Sequence, residues 1–375
     1  MAEKLSMHEI DQHSREDDEL RTSKLGRSIL RSAHNQPIYR YPLHKLSAVM
    51  LKAVSRDEQL KKNLMRFVDV YPTLNKAETV TQHLNEYLGY KGSPFLPLLK
   101  LTCSGPQKIL LAPTIKYLIS LIISSSAKHF IAGADPQSAL PKLLKLRRNR
   151  YAYTVDLLGE FTTSHISGIG YAQRYLDLID TLAIAASRWK ESEPLIQDHT
   201  GERNANSVSV KLSALAPNIS PLMNERSKQI LRERLSAILE RIRDTKSIFY
   251  LDAEDSSSNH IIYEIFTDLF YSDFRSSIEI PGIVVQAYLK NSEGTLLRLI
   301  DLAKKRGSPI AIRLVKGAYW DSEVILARQN GLEPPVFMKK FQADRNYEKL
   351  TDIMLRNREW IYPACKPHPV RFAMY

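Results

Sequence analysis

The residues best suited to chemistry lie in one run, residues 312–321, with the sequence Ile-Arg-Leu-Val-Lys-Gly-Ala-Tyr-Trp-Asp. Its candidate ligand contacts are two cations, a glycine and two aromatic residues: Arg313, Lys316, Gly317, Tyr319 and Trp320. A guanidinium pairs bidentately with anions, and a glycine lets the backbone approach a ligand closely. The two aromatic rings are suited to flank or stack on a planar cofactor. The run therefore indicates a site for a ligand that carries both a phosphate and a planar ring.

Polar residues also stand where short apolar runs, predicted as strands, come to an end. They are Asp156, Lys211, Asp252, Gln286, Arg313 and Lys316. A lysine at the end of an apolar strand is costly if it is kept dry, so Lys211 needs an anion or a carboxylate partner. Asp252 and Glu254 end the next strand and lie on one side of it, because side chains alternate with a period of two. A Lys–Asp pair across neighbouring strands serves structure as readily as function, and both interpretations stay open.

The elements that must position these residues are strands alternating with helices after residue 150. The strand candidates are residues 151–157, 207–212, 248–252, 283–288 and 310–315, with a sixth that begins at residue 361. Two intervening helices carry apolar stripes: Tyr171, Tyr175, Leu178, Leu182 and Trp189 in one, and Leu231, Leu235, Ile238 and Ile242 in the other. Such alternation implies right-handed crossovers and a parallel sheet.

Two folds place their chemistry at the carboxyl ends of parallel strands. They are the (β/α)8 barrel and the doubly wound sheet with its switch point. No Gly-x-Gly-x-x-Gly fingerprint follows the first strand, which disfavours a Rossmann dinucleotide site. The barrel is therefore the predicted fold.

Three segments are predicted along the chain: residues 1–42, polar and loosely ordered; residues 43–148, a helical arm; and residues 149–375, the barrel. In the arm, Leu60, Leu64, Phe67 and Val68 are predicted to share one apolar face. The most apolar stretch, residues 109–127, is interrupted by a proline and a lysine. Its uninterrupted part is about half the ~20 apolar residues that a spanning helix needs, so a buried helix is expected.

The net charge and the cysteine content limit the classes of function that this sequence fits. The net charge of +12 favours nucleic acid or an anionic lipid surface, but the basic residues are scattered apart from residues 142–150. No nucleic-acid-binding motif and no signal peptide are found. The two cysteines, Cys103 and Cys365, follow no metal-ligand or redox spacing. A cytoplasmic enzyme with no metal and no nucleic-acid partner is expected.

Five motifs resemble, in order, the strand motifs of proline dehydrogenase: residues 153–160, 208–215, 251–255, 284–290 and 312–323. Residues 66–70, Arg-Phe-Val-Asp-Val, resemble the arm of bifunctional proline-utilization flavoproteins that lack a DNA-binding segment. The resemblance implies a distorted (β/α)8 barrel that holds FAD and oxidises L-proline to 1-pyrroline-5-carboxylate. It also implies a membrane quinone as electron acceptor, and so a cytoplasmic protein that associates peripherally with the inner face of the membrane.

The same resemblance assigns roles to individual residues. Lys211 is expected to bind the proline carboxylate, Asp252 to position that lysine, and Tyr319 to pack near the substrate. Glu160 matches a gate residue. The positions expected around the FAD are Gln286, Arg313, Lys316, Gly317, Ala318 and Trp320.

The chain departs from the family pattern near its end. The family's sixth strand ends in a Thr-His-Asn-like run that touches FAD, and His368 stands at the matching position between two prolines. His368 is a FAD-contact candidate, with an ordinary tail histidine as the alternative. Only six strand candidates can be counted, and a barrel needs eight. An incomplete, C-terminally truncated barrel of about six βα units is therefore expected, without the family's arginine pair for the proline carboxylate.

Three alternatives remain beside the proline-oxidising flavoenzyme. One is a catalytically inactive remnant, or a fragment completed by another chain, that at most binds flavin weakly. Another is a different FAD barrel such as a methylenetetrahydrofolate reductase, disfavoured by the run at 312–323. The last is a basic nucleic-acid-binding module, disfavoured because no motif supports it.

Overall fold

The computed structural model describes most of the chain after residue 56. The described residues are 20–28, 31, 57–91, 93, 99–100, 108–158, 162–189, 197–198, 201–202, 206–219, 222 and 225–366. The chain divides into two compact units, one of residues 32–134 and the other of residues 1–31 and 135–375. The domain limits expected from the sequence, at residues 42 and 148, stay predictions.

Three α-helices of the first unit have described bounds: α1 (Glu58–Val70), α2 (Ala77–Leu88) and α3 (Lys108–Phe130), and a 3-10 helix, Tyr71–Thr73, follows α1. Helix α1 begins after Asp57, whose carboxylate accepts the backbone N–H groups of the first turn at 2.9 and 3.0 Å. Leu60 and Phe67 are buried, and Leu64 packs against Leu60. Val68 is 38% exposed, so its place on this face was wrongly predicted. At 3.6 residues per turn it lies about 80° around the helix from Leu60.

Helix α3 confirms the helix expected over residues 109–127, but the prediction that it is buried is wrong. Its Ile115, Ile119 and Ile123 pack against the buried residues of this unit, whereas Leu110 and Tyr117 are 82% and 64% exposed. The helix has apolar residues on several faces, and the contacts seen among the described residues of this unit lie on one of them. No described helix is long and apolar enough to cross a membrane.

The second unit contains a six-stranded parallel sheet. Its strands are β1 (Val155–Asp156), β2 (Ser207–Val210), β3 (Ile248–Leu251), β4 (Gly282–Gln286), β5 (Ile310–Val315) and β6 (Ile361–Cys365). They lie side by side in chain order, each parallel to the next. A doubly wound sheet would reverse its order at a switch point, and this one does not. The α/β barrel type is confirmed; within the described residues the six strands do not close into a ring.

Residues 20–28 of this unit are helical, and eight helices are described after residue 134: α4 (Pro136–Arg148), α5 (His165–Ala186), α6 (Leu212–Leu215), α7 (Glu225–Asp244), α8 (Ser256–Tyr271), α9 (Ser292–Arg306), α10 (Trp320–Gln329) and α11 (Lys340–Arg356). The predicted stripe of α7 is confirmed in full, since all four of its residues are buried. In α5 the stripe holds for Tyr175, Leu178 and Leu182, while Trp189 lies beyond the helix end. A short antiparallel ribbon, Gln197–Asp198 with Gly201–Glu202, was not predicted.

Strands β2 and β4 are buried along their whole length, as expected for parallel strands covered on both faces. Because both faces of these strands are covered, we expect polar side chains of the sheet to reach a ligand at the strand ends.

Candidate functional site

The sheet register brings the polar strand-end residues together at one edge. Strand β2 lies between β1 and β3, and β4 lies between β3 and β5. Val284 of β4 is level with Arg313 of β5, and Ser209 of β2 is level with Tyr250 of β3. A parallel sheet directs all its carboxyl ends to the same edge, which is where barrels of this type carry their chemistry.

Lys211 follows β2 and forms an ion pair with Asp156, the last residue of β1. The Nζ–Oδ2 distance is 2.8 Å, and the side chains are 22% and 33% exposed. Burial lowers the pKa of Lys211, but the hydrogen bond and charge of Asp156, with the charge of Asp252, outweigh it and raise the pKa overall. Lys211 is therefore held as a cation. Its hydrogen-bonded partner is the carboxylate of β1, whereas the sequence pointed to Asp252.

Asp252 belongs instead to a second cluster, with Ser209 and Arg313. Its Oδ1 accepts hydrogen bonds from Ser209 Oγ at 2.5 Å and from Arg313 Nη1 at 3.1 Å. The guanidinium of Arg313 also lies over the ring of Tyr250, 4.1 Å from its centre. Burial raises the pKa of Asp252, against the lowering effects of Ser209 and Arg313. Two neighbouring cation–carboxylate pairs thus line this edge.

Glu254, two residues beyond Asp252, anchors a buried polar chain. It is 2% exposed and accepts hydrogen bonds from Ser213, through the backbone N–H at 3.1 Å and through the hydroxyl. Burial raises the pKa of Glu254, and the Ser213 bonds oppose the rise. The Glu254 carbonyl accepts from Gln286 Nε2 at 3.0 Å, and Gln286 Oε1 accepts from Asn259 at 3.1 Å. Gln286 is therefore locked in one orientation.

The loop after β5 has a backbone that only glycine tolerates. Gly317 has a φ of 125°, and a Cβ placed there would lie 2.4 Å from the ring of Tyr288. The ammonium of the preceding Lys316 bonds to the carboxylate of Asp344 on α11. The loop is therefore tightly packed against both β4 and α11.

The two aromatic residues after the glycine differ in their surroundings. Tyr319 precedes α10, and its pKa is raised by burial and by the charge of Glu254, while Lys211 opposes the rise. Trp320 donates from Nε1 to the carbonyl of Phe337 at 3.0 Å and is 38% exposed. Tyr319 thus lies in the field of the charged cluster, whereas Trp320 and Ala318 are exposed.

Two of the predicted site residues, Glu160 and His368, lie outside the described residues, as does Cys103. Of the rest, Lys211, Asp252, Gln286 and Arg313 come together at the sheet edge. Among the described residues no group of three or more His, Cys, Asp or Glu side chains is arranged to hold a metal ion.

Two residues of the site, Ser209 and Tyr175, were not predicted from sequence as part of it. Asp156 was among the predicted polar strand ends, but its pairing with Lys211 was not predicted. Ser209 could have been found from the period of two, because it shares a side of β2 with Lys211. Tyr175 gave no local signal: it is fully buried on α5, and its Oη accepts the Lys211 backbone N–H at 3.3 Å.

Comparisons with known proteins match both parts of the chain. The family model "Proline dehydrogenase" matches residues 139–374, and the model "Proline utilization A N-terminal domain" matches residues 19–130. The bifunctional protein PutA of Escherichia coli K12 is 29% identical over 257 residues, which cover 68% of this chain and 19% of that protein. Proline dehydrogenase 2 of Bacillus subtilis 168 is 28% identical over 243 residues, 65% of each chain.

Solved structures agree with these matches. PutA from Bdellovibrio bacteriovorus, in a crystal structure inactivated by N-propargylglycine, gives a TM-score of 0.81 at 34% identity. The match covers 95% of this chain and 35% of that one. A PutA variant from Bradyrhizobium japonicum shares the fold, with a TM-score of 0.67 at 21% identity. This chain therefore spans about a third or less of the length of the bifunctional proteins it matches.

Proposed function

This chain belongs to the proline dehydrogenase family, and on that premise we propose that it oxidises L-proline to 1-pyrroline-5-carboxylate with FAD and passes the electrons to a quinone. This would be the first step in the degradation of proline to glutamate. The observation that carries the proposal is the double cluster at the sheet edge, in which Lys211–Asp156 lies beside Asp252–Ser209–Arg313.

The residues at this edge fit a flavin. Arg313 donates hydrogen bonds from Nη1 to Ser209 and Asp252, and the other donors of its five-donor fork are proposed to bind the ligand. Gln286 and the Gly317 loop provide a fixed amide and a close backbone approach beside it. A bound flavin would supply the two-electron redox chemistry that no protein side chain provides. Arg313 would favour negative charge on the ring, and Lys316, Ala318 and Trp320 are proposed to flank the rest of the cofactor.

Lys211 is proposed to bind the proline carboxylate. It is held as a cation by Asp156, so its remaining N–H groups can pair with an anionic ligand. Tyr319 is proposed to pack against the proline ring and to keep water from it. Asp252 is proposed to position both cations: it bonds directly to Arg313, and its charge raises the pKa of Lys211. Orientation and desolvation of the substrate are the parts of the reaction that these side chains perform.

Two further assignments rest on the family resemblance. Glu160 is proposed as the gate residue, and His368 as a contact of the FAD. We also propose that the protein works in the cytoplasm, peripheral to the inner face of the membrane, where a quinone accepts its electrons. The net charge of +12 supports that association, because anionic lipids attract basic surfaces.

The test is to purify the full chain, record its flavin absorbance, and measure dye reduction on addition of proline. A yellow protein that is bleached by proline supports the proposal. Lys211→Ala should keep the flavin and lose most of the proline-dependent reduction, whereas Lys349→Ala, in an exposed ion pair, should behave as the wild type. A colourless chain, or a yellow one that proline does not bleach, supports the inactive remnant instead.

A further inference from the structure

A buried carboxylate outside the charged cluster joins two loops of the candidate site. Glu323, on α10, is 7% exposed. The Glu323 carboxylate accepts two hydrogen bonds from Ser256, one from the backbone N–H at 2.6 Å and one from the side-chain hydroxyl at 2.5 Å. Ser256 is the first residue of α8, four residues after Asp252. Strands β3 and β5 are separated by β4, so this contact passes over the carboxyl end of β4.

The contact is built into the start of α8. Asp255, the N-cap of that helix, accepts from the backbone N–H groups of Ser257 and Ser258 at 3.0 and 3.1 Å. The N–H of Ser256 goes to Glu323 instead. Helix N-termini favour carboxylates, because their N–H groups lack partners within the helix. A buried carboxylate is costly unless it is hydrogen-bonded, so Glu323 is held where these donors are.

The same residue fixes the loop that precedes it. The backbone N–H of Glu323 bonds to the carbonyl of Tyr319 at 2.9 Å, which places the carboxylate one helical turn after the tyrosine. The other end of the loop is held by Tyr288, whose N–H bonds to the Lys316 carbonyl at 2.8 Å. The segment from Lys316 to Tyr319 is thus held at both ends, and the hydrogen bonds of Glu323 to Ser256 tie it to the loop that carries Asp252.

We propose that Glu323 is a positioning residue that fixes Tyr319 and Trp320 relative to Asp252, and so determines how well the site holds proline. The expected effect of Glu323 on proline binding rests on the proposed function. The expected effect on the order of the two loops rests only on the contacts just described, and the two effects are measured separately.

The variants are Glu323→Gln, Ser256→Ala and the double variant, made in the full chain. Asp321→Asn is the matched control, since it removes an exposed carboxylate from the same first turn of α10. Amide hydrogen exchange is followed in residues 252–258 and 316–322. In Glu323→Gln we expect exchange to rise several-fold in both segments together, while Asp321→Asn leaves them unchanged. Ser256→Ala keeps the N–H bond and should give a smaller rise.

The kinetic readout separates positioning from general stability. We expect Glu323→Gln to keep its flavin and the unfolding midpoint of Asp321→Asn while its KM for proline rises several-fold. The double variant should have the same KM for proline as Glu323→Gln, because both changes remove one contact.

If Glu323→Gln fails to fold, the hydrogen exchange and KM of Ser256→Ala test the proposal. Unchanged exchange at 316–322, a rise spread over the whole sheet unit, or additive effects would overturn the proposal. A wild-type chain that does not oxidise proline refutes the proposed function, while hydrogen exchange still tests the contact.

Discussion

At the scale of single residues, the types of the site residues were readable from the sequence and their pairing was not. The run at 312–321 and the polar strand ends indicated where charge would collect. Which carboxylate meets Lys211 depends on the order of the strands and on a competition for Asp252. Arg313, on β5, forms an ion pair with Asp252, which follows β3. Lys211 forms its ion pair with Asp156. Sequence spacing holds no information on such a competition.

The Lys211–Asp156 pair leads to a prediction about pH. Asp156→Asn removes the largest influence that raises the pKa of Lys211 and leaves burial, which lowers it. The alkaline fall of kcat/KM for proline should therefore shift to lower pH, and KM at neutral pH should rise. The pair also stabilises the folded state below the unfolded pKa of lysine. That contribution is lost as the pH rises through the higher folded value.

The measurement is kcat/KM against pH for the wild type and Asp156→Asn. Titration of the proline amine is common to both proteins, so only the difference between their curves is interpreted. Asp180→Asn breaks an exposed ion pair with Arg241, on helices α5 and α7, and is the matched control. Coincident alkaline limbs in all three proteins would show that Asp156 does not control the charge of Lys211.

At the scale of elements, strands were predicted well where burial dictates their composition. The strand at 310–315 was predicted residue for residue, and the one at 283–288 was displaced by only one or two residues. The first strand was predicted over 151–157 but pairs only at Val155–Asp156. Strand extent depends on the partner's length as well as on β propensity. The exposed apolar face of α3 was not predicted, because the hydrophobicity of a helix does not show whether each of its apolar faces is covered by other residues.

Arg306 illustrates an element held by a side chain that the sequence did not single out. It ends α9, is 5% exposed, and donates to backbone carbonyls that precede β4 and β5, including those of Glu279 at 3.0 Å and Pro309 at 3.2 Å. A further bond goes to the carbonyl of Ile278. One planar guanidinium therefore fixes the entry to two neighbouring strands.

Arg306→Lys should destabilise the sheet unit, because an ammonium cannot reproduce the planar fork. Each hydrogen bond to a charged group contributes about 1.5–3 kcal/mol, and we expect a loss of about 2 kcal/mol in the free energy of unfolding. Urea unfolding followed by circular dichroism measures it. Lys305→Ala, which removes the neighbouring exposed side chain, should change the stability by less than about 0.5 kcal/mol. Equal midpoints for the two variants would contradict the role given to Arg306.

At the scale of the whole molecule, the alternation of strands and helices predicted a parallel α/β fold, and the absence of a Gly-x-Gly-x-x-Gly fingerprint favoured the barrel. The same alternation could not exclude a doubly wound sheet, and the unbroken strand order excludes it. The net charge is a second property of the whole molecule that can be read from the sequence. With Lys and Arg at 53 and Asp and Glu at 41, the excess of positive charge is spread over many elements. Its consequences should therefore depend on total charge more than on any one patch.

Binding to anionic lipid vesicles tests that statement. The full chain should bind phosphatidylserine-containing vesicles at low salt and be released as salt shortens the screening length to about 8 Å near 0.15 M. Two double reversals, Lys145→Glu with Arg148→Glu and Lys304→Glu with Lys305→Glu, each change the last turn of one helix, α4 or α9. Each lowers the net charge of +12 by four, so both should weaken binding, and by similar factors. A much larger loss from the α4 pair would instead locate the membrane contact in the basic segment 142–150, and no release by salt would exclude an electrostatic association.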